Sequence, residues 1–324
     1  VRLGDVRERT GAFTESLDAY REAFRLASDD PMEQARILVK RARGKERAGK
    51  YPAALADTTR ARKLIDGLIG TEPMAIRARS YGVASVVRQG QQQPRAALES
   101  ASQAAALAEE AGDDEALARA WGVLDWAYFM LGEPEKAVYS EQALRIHEER
   151  GDLMSAAGVS TNLGAFAYFA GDWTKALDFY AIGYDSSSRA GAMVDAANAL
   201  LNTAELLLYQ GRFEEAQSPL REASRIAHAA RFDEAITFAS LQRGRLAVAA
   251  GNTDEALEVL EETIVAASSI GIEGWAYEAR LVLADALCRF REPSEALGLL
   301  DEANAAAPPD YVDLYRSTYA RIHG

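Results

Sequence analysis

Three side-chain amides, Asn162, Asn202 and Gln242, stand 40 residues apart. An amide donates and accepts at once, so a row of amides suits the backbone of an extended peptide, which offers a carbonyl and an N–H per residue. The same row can equally bond repeat to repeat. Three residues after each amide comes a second row, Ala165, Glu205 and Arg245, continued by Asp285 with alternating sign. It either meets a charged ligand or bridges its own neighbours. A basic group, Arg36, Lys40, Arg43 and Arg47, steps by 4, 3 and 4, which on a helix is one face. That face can dock on an acidic partner, whether an upstream domain of the same polypeptide or the acidic end of another copy, or simply be solvated. Aromatics gather as well: residues 121–184 hold 12 of the 27 Phe, Trp and Tyr. Of these, Trp121, Tyr128 and Trp173 read as core, whereas Trp126, Phe129, Tyr168 and Phe169 read as recognition residues, with Gly122, Gly158, Thr161 and Ala165 leaving room beside them.

Bond-breaking chemistry finds no comparable footing. No GxxxxGK[ST] run offers a phosphate cradle, and no pair of histidines stands at i, i+4 with a glutamate to hold zinc. The single Cys288 excludes an internal disulfide and reads as a packing residue. His147 stands among charged residues and reads as solvated surface. Glu109-Glu110, Glu214-Glu215 and Glu261-Glu262 are adjacent pairs, which on a helix do not share a face and make poor acid/base dyads. We expect no enzyme activity, no metal and no cofactor.

The 324 residues are 48% apolar and 26% charged, a globular composition, and 64 of them are alanine, the strongest helix former. Net charge is −13, which disfavours general binding to nucleic acid or an anionic membrane. The charge is uneven, with 18 Lys/Arg against 12 Asp/Glu in residues 1–90 and 18 against 37 in the remainder. No aromatic residues interleave with the basic stripe, which also argues against nucleic acid. The longest uncharged run, residues 153–171, holds three Gly, two Ser, a Thr and an Asn, and reads as a buried helix rather than a membrane span. A cytoplasmic location is expected. Because a helical pattern already runs at Val1, with no Met, a fragment of a longer polypeptide is expected too.

The elements that must position these side chains announce themselves by repetition. A phrase of glycine, two or three polar or aromatic residues and Ala-Leu recurs at Gly11, Gly49, Gly90, Gly132, Gly171, Gly211 and Gly251, and without its glycine at Arg291. The steps are 38, 41, 42, 39, 40, 40 and 40 residues. A second glycine ladder interleaves at Gly112, Gly151, Gly191 and Gly271, with Arg231 where another glycine would fall. Two stops per period, each followed by apolar residues at i, i+3, i+4, mean two helices per repeat. Prolines 31, 52, 94, 134 and 293 fall near helix starts, where a missing N–H does no harm, but Pro219 falls inside a helix that it should kink or delay. The fold expected is all-α, an α-α superhelix of about eight helical hairpins over residues 1–308 and a capping helix over 309–324.

This pattern resembles the tetratricopeptide repeat. Trp121, Leu124, Tyr128, Gly132 and Ala137 carry it in the fourth repeat; Leu163-Gly164, Gly171, Ala176, Tyr180 and Gly183 in the fifth; Gly244, Gly251, Ala256, Leu260 and Thr263 in the seventh. Asp125 and Ala204 depart from the small glycine of the pattern. The long period and alanine-rich composition are similar to the C-terminal arrays of bacterial class III nucleotide cyclases fused to ATPase modules and of maltose-activator-like regulators. In the repeat family the first helix of each hairpin lines a concave groove. The resemblance therefore implies that Trp126, Phe129, Asn162, Tyr168, Asn202, Glu205, Gln242 and Arg245 face a protein or peptide segment there, with Arg36, Lys40, Arg43 and Arg47 on the same side. The implied role is a scaffold that senses or docks for a larger signalling protein. A small-molecule or signalling-peptide sensor that changes superhelical pitch, and an oligomerisation module, are the alternatives.

Overall fold

Helix starts are written by carboxylates. The side chains of Asp30, Asp113, Asp152 and Asp172 each accept a hydrogen bond from a backbone N–H three residues on, taking up one of the donors a first turn leaves unpaired. Helix ends are written by backbone geometry. Gly112, Gly191 and Gly251 close their helices in the left-handed conformation, where a side chain is unfavourable. Arg231 occupies the same station at φ 52°, the one non-glycine with positive φ among the described residues.

The computed structural model describes residues 1–9, 13–91, 93–290 and 293–306. Those residues are all-helical, with no strand. The chain forms two compact units, Val1–Gly191 and Ala192–Gly324. In the first lie α1 (Arg2–Arg9), α2 (Phe13–Leu26), α3 (Pro31–Arg47), α4 (Tyr51–Leu64), α5 (Thr71–Gly90), α6 (Pro94–Ala111), α7 (Asp114–Met130), α8 (Ser140–Glu149), α9 (Leu153–Phe169) and α10 (Trp173–Ala190). In the second lie α11 (Met193–Tyr209), α12 (Phe213–Ala230), α13 (Asp233–Ala250), α14 (Thr253–Ser269), α15 (Glu273–Phe290) and α16 (Pro293–Ala306). The expected capping helix over 309–324 and the turns at 11 and 291 lie outside the described residues.

Within each unit, helices pack in sequence, and the first helices of successive hairpins also touch: α3 on α5, α5 on α7, α11 on α13, α13 on α15. This is the helical-hairpin stack of the α-α solenoid class. Alanine makes it possible. Ala97, Ala101, Ala104 and Ala108 are buried along one face of α6, so its backbone comes close to its neighbours. Between these faces sit larger residues, such as Leu38, Ile65 and Ile76 in the first unit and Leu241, Leu260 and Leu283 in the second.

The small residue of the first helix has a direct steric reason. A Cβ on Gly164 would come 2.4 Å from the Tyr180 ring, and one on Gly244 2.4 Å from Leu260. Where Asp125 takes this place, the following helix cannot seat as usual. Instead of starting near Pro134, the chain makes a single 3-10 turn at Pro134–Lys136, and α8 begins only at Ser140, with 10 residues. The buried Asp125 carboxylate accepts the backbone N–H groups of Tyr139 (2.7 Å) and Ser140 (2.6 Å), both on Oδ2, and so caps the shortened helix from across the hairpin.

Other sequence expectations are also corrected. Gly90 is the last residue of α5 rather than a turn glycine; a Cβ there would meet the Tyr51 hydroxyl at 2.7 Å. Pro219 does not delay α12, which starts at Phe213. Trp173 is not core but 37% exposed, and His147, expected at the surface, is 1% exposed.

Candidate functional site

In the first unit, α7 and α9 each present one side of an aromatic cluster. Trp126 lies 5.6 Å from Phe129 and 6.1 Å from Phe166, and Phe129 lies 5.0 Å from Phe166 and 5.3 Å from Phe169, measured between ring centroids. Tyr168 meets Phe169 edge-on at 5.0 Å. The cluster is only partly covered: Trp126, Phe129, Phe166 and Tyr168 are partly buried, Phe169 is 61% exposed, and Met130 at the end of α7 is exposed as well. Asn162, one helical stretch earlier on α9, is half-buried. Its amide makes no hydrogen bond among the described residues, so both its donor and its acceptor remain available.

The basic stripe of α3 is paired inside its own unit. Arg36 bonds Glu33 at 2.9 Å and also reaches Glu72. Lys40 bonds Asp5 at 2.8 Å. Burial pushes the Asp5 carboxyl up, but hydrogen bonds from Lys40 and Tyr20 outweigh it and hold the group below its ordinary value. Arg43 lies 3.8 Å from Glu115 and 3.8 Å from Asp152. Arg47 makes interactions of its own and joins the same charge cluster, adding to the field at Arg119. The stripe thus spends much of its charge tying α3 to α1, α5, α7 and the start of α9.

In the second unit, the amide and charge rows converge on each other. Gln242 is fully buried; its Nε2 donates to Glu205 (3.3 Å) and its Oε1 accepts from Arg245 (3.0 Å). Arg245 bonds Glu205 at 3.2 Å and also Glu278, while its guanidinium lies over the Tyr209 ring, 5.0 Å from the centroid. Two carboxylates therefore share one guanidinium. Burial raises the Glu205 carboxyl above its ordinary value although Arg245 and Gln242 oppose that. The arrangement bridges α11, α13 and α15, which is the inter-repeat reading of these rows. Asn202 differs: it is half-buried and, like Asn162, bonds nothing among the described residues.

Four residues of these networks escaped sequence reasoning. Glu278 and Arg119 each stand 13 residues before their turn, one helical turn ahead of the amide row on the same face. Phe166 stands 40 residues after Trp126, and Tyr209 40 after Phe169, so the same period could have found them. Among the described residues no group of His, Cys, Asp and Glu is placed to hold a metal ion. No helix among them is long and apolar enough to cross a membrane.

Helical hairpins stacked through alanine and glycine contacts define a helical-repeat architecture. Tetratricopeptide repeat models match residues 155–229 and again 247–322, so these two stretches carry tetratricopeptide repeats. No curated protein matches the sequence. Among solved structures, one similar fold is a Signal Transduction ATPase with Numerous Domains from Pyrococcus horikoshii that has a tetratricopeptide repeat sensor. It is 14% identical, with a TM-score of 0.65 over 99% of this chain and 49% of that one. A Rap protein complexed with Competence and Sporulation Factor is 14% identical, with a TM-score of 0.64 over 94% of this chain and 86% of that one. The apo quorum sensor NprR of B. thuringiensis is 14% identical, with a TM-score of 0.54 over 97% and 82%. At such identities the likeness is one of fold.

Proposed function

We propose that this chain is a non-catalytic recognition array that binds an extended peptide or protein segment along its first-helix faces. We place it as the sensing or docking region of a larger bacterial signalling or regulatory protein, of the cyclase–ATPase or maltose-activator-like kind. The observation that carries the reading is the pairing of a partly covered aromatic cluster, open at Phe169, with an idle amide on the same helix. Trp126, Phe129, Tyr168 and Phe169 form a cluster with more than half of Phe169 exposed, and Asn162 stands beside it unbonded. Aromatic anchors supply area at low entropic cost, and a side-chain amide fixes a backbone in register. Asn202 offers the same group in the second unit. Glu205, Gln242 and Arg245 act in this reading through the wall they build together. Support also comes from the fold shared with a Rap protein solved with a bound factor and with a quorum sensor.

Selection of a random heptapeptide display library on the chain, followed by affinity measurement of the enriched sequences, tests the proposal. Asn162→Ala with Asn202→Ala should weaken the selected peptides about tenfold, about 1.4 kcal/mol, with unchanged helicity. Phe129→Ala should weaken them further. Absence of enrichment, or equal binding to all variants, overturns the reading.

A further inference from the structure

Cations of the first unit are paired hairpin by hairpin. Arg41 and Lys45 of α3 share Asp57 of α4, at 2.6 and 2.7 Å, and Arg79 of α5 meets Asp113 at 2.7 Å. Two arginines at the seam of α4 and α5 break this habit. Arg88 stands two residues before the end of α5, as Lys45 stands two before the end of α3. Asp57, the partner of Lys45, is the seventh residue of α4, and the seventh residue of α6 is Ser100. One hairpin therefore keeps the cation with its carboxylate, and the next keeps the cation without it. Arg88 is half-buried and makes no hydrogen bond or ion pair among the described residues; its Nε is covered, whereas its Nη groups are not. Packing does not ask for an arginine there, since α7, α9 and α11 place Tyr128, Ala167 and Leu207 at the same station. Arg62 of α4, also half-buried, is the second. Its Nη1 donates to Ser80 Oγ at 2.8 Å and its Nη2 to Thr59 Oγ1 at 3.4 Å, and its guanidinium lies 4.4 Å from the centroid of the Tyr81 ring. Ser80 Oγ in turn donates to the Thr58 carbonyl at 3.0 Å, so Arg62 is braced by neutral groups while its charge stays unmatched. Burial lowers the Arg62 pKa, Tyr81 opposes the shift, and the like charge of Arg88 adds to it. Two partly buried cations within each other's field are costly unless an anion joins them.

We infer that the α4–α5 seam is a binding site for a compact divalent oxyanion of the phosphate class, taken up by Arg88 and Arg62 where Asp57 serves one hairpin earlier. The charge sets the class. Two guanidiniums without a carboxylate leave two positive charges, which a monocarboxylate would only half neutralise. A phosphate or phosphate monoester carries nearly two negative charges near neutral pH. Guanidinium forks also match the oxygens of such a group pairwise. Two of the five Arg62 donors are engaged by hydroxyls and none of Arg88, so donors remain for the ligand's oxygens. The site lies away from the aromatic cluster. Arg88 is two residues past Val86, which stands 40 before Trp126, and so sits about 200° around α5 from the position that Trp126 occupies on α7. Arg62 stands on a second helix. Anion binding here is therefore independent of any peptide in the groove.

Calorimetry with sodium phosphate, glycerol 3-phosphate and sodium acetate, at about pH 8 and constant ionic strength, tests the site. It is run on the wild-type chain, Arg88→Gln, Arg62→Gln and Ser100→Asp, with the exposed Arg243→Gln as control. Phosphate or its ester should bind the wild type and R243Q alike, and R88Q and R62Q about tenfold more weakly. S100D restores the carboxylate of the preceding hairpin and should displace the ligand, so the melting temperature that phosphate raises in the wild type should no longer respond. Should S100D not fold, the two glutamine variants decide. Tighter binding of the ester assigns the site to a phosphorylated small molecule, and tighter binding of the inorganic ion assigns it to free phosphate; either outcome supports it. Acetate bound as tightly as phosphate, equal phosphate affinity in R88Q, R62Q and the wild type, or a wild-type melting temperature indifferent to phosphate would each overturn it.

Discussion

Burial among charges makes His147 sensitive to acid. Burial pushes its pKa from 6.5 down to about 4; Asp152 and Glu115 oppose the shift, and Arg119 and Arg43 reinforce it. Below about pH 6.5 the unfolded chain takes up a proton that the folded chain refuses, so stability falls as pH drops toward 4. Between pH 7 and pH 5 the wild type should lose about 2 kcal/mol through this one group. His147→Leu should lose that much less over the same interval, measured by urea denaturation at both pH values; identical losses would show that the ring is not kept neutral. Residue by residue, the sequence conveyed types and spacings but not commitments. Gln242, Glu205 and Arg245 were legible as periodic rows, yet whether a periodic polar side chain faces a ligand or its neighbour depends on the distance between helices, which spacing does not encode. Arg119 lay one turn ahead of the amide row, where the same counting reaches it, but its place among Arg43, Arg47, Asp152 and Glu46 is visible only in the fold.

At the scale of the element, glycines that look alike in the sequence do different work. Gly164→Ala would drive a methyl group into the Tyr180 ring and part α9 from α10, so we expect a loss of about 2–3 kcal/mol. Gly158, one and a half turns earlier on the same helix, faces open space, and Gly158→Ala should stabilise by up to about 1 kcal/mol. Thermal unfolding of the two variants decides between these signs. A similar contrast exists at Asp125. Both backbone donors that it accepts use one oxygen, so Asp125→Asn keeps an acceptor and should cost under about 1 kcal/mol, whereas Asp125→Ala strands two donors and should cost about 3 kcal/mol. Equal losses in the two variants would refute the cap. The hairpins themselves were legible because glycine ladders and alanine faces are local signals. The shortening of α8 was not, because it arises where a carboxylate in one helix meets the start of another.

For the molecule as a whole, charge is divided unequally between the two packing units. Residues 1–191 hold 25 Lys/Arg against 28 Asp/Glu, whereas residues 192–324 hold 11 against 21. Self-repulsion of like charge weakens a folded state and is screened by salt. Raising sodium chloride from low to near-molar concentration should therefore increase hydrogen-exchange protection more in α11–α16 than in α1–α10, and an equal change in both would count against the charge argument. The division into two units was not legible, since the 40-residue period runs through residue 191 without a break. The broken second helix of the fourth hairpin has one more consequence. Residues 131–139 are largely exposed, lack α-helical structure and carry a bare Val138 and a half-open Tyr139. Proteases need a stretch they can draw out into their clefts, and a rod of uninterrupted helices seldom offers one. Here the chain does, so the first nick during purification or cellular turnover should fall on this segment.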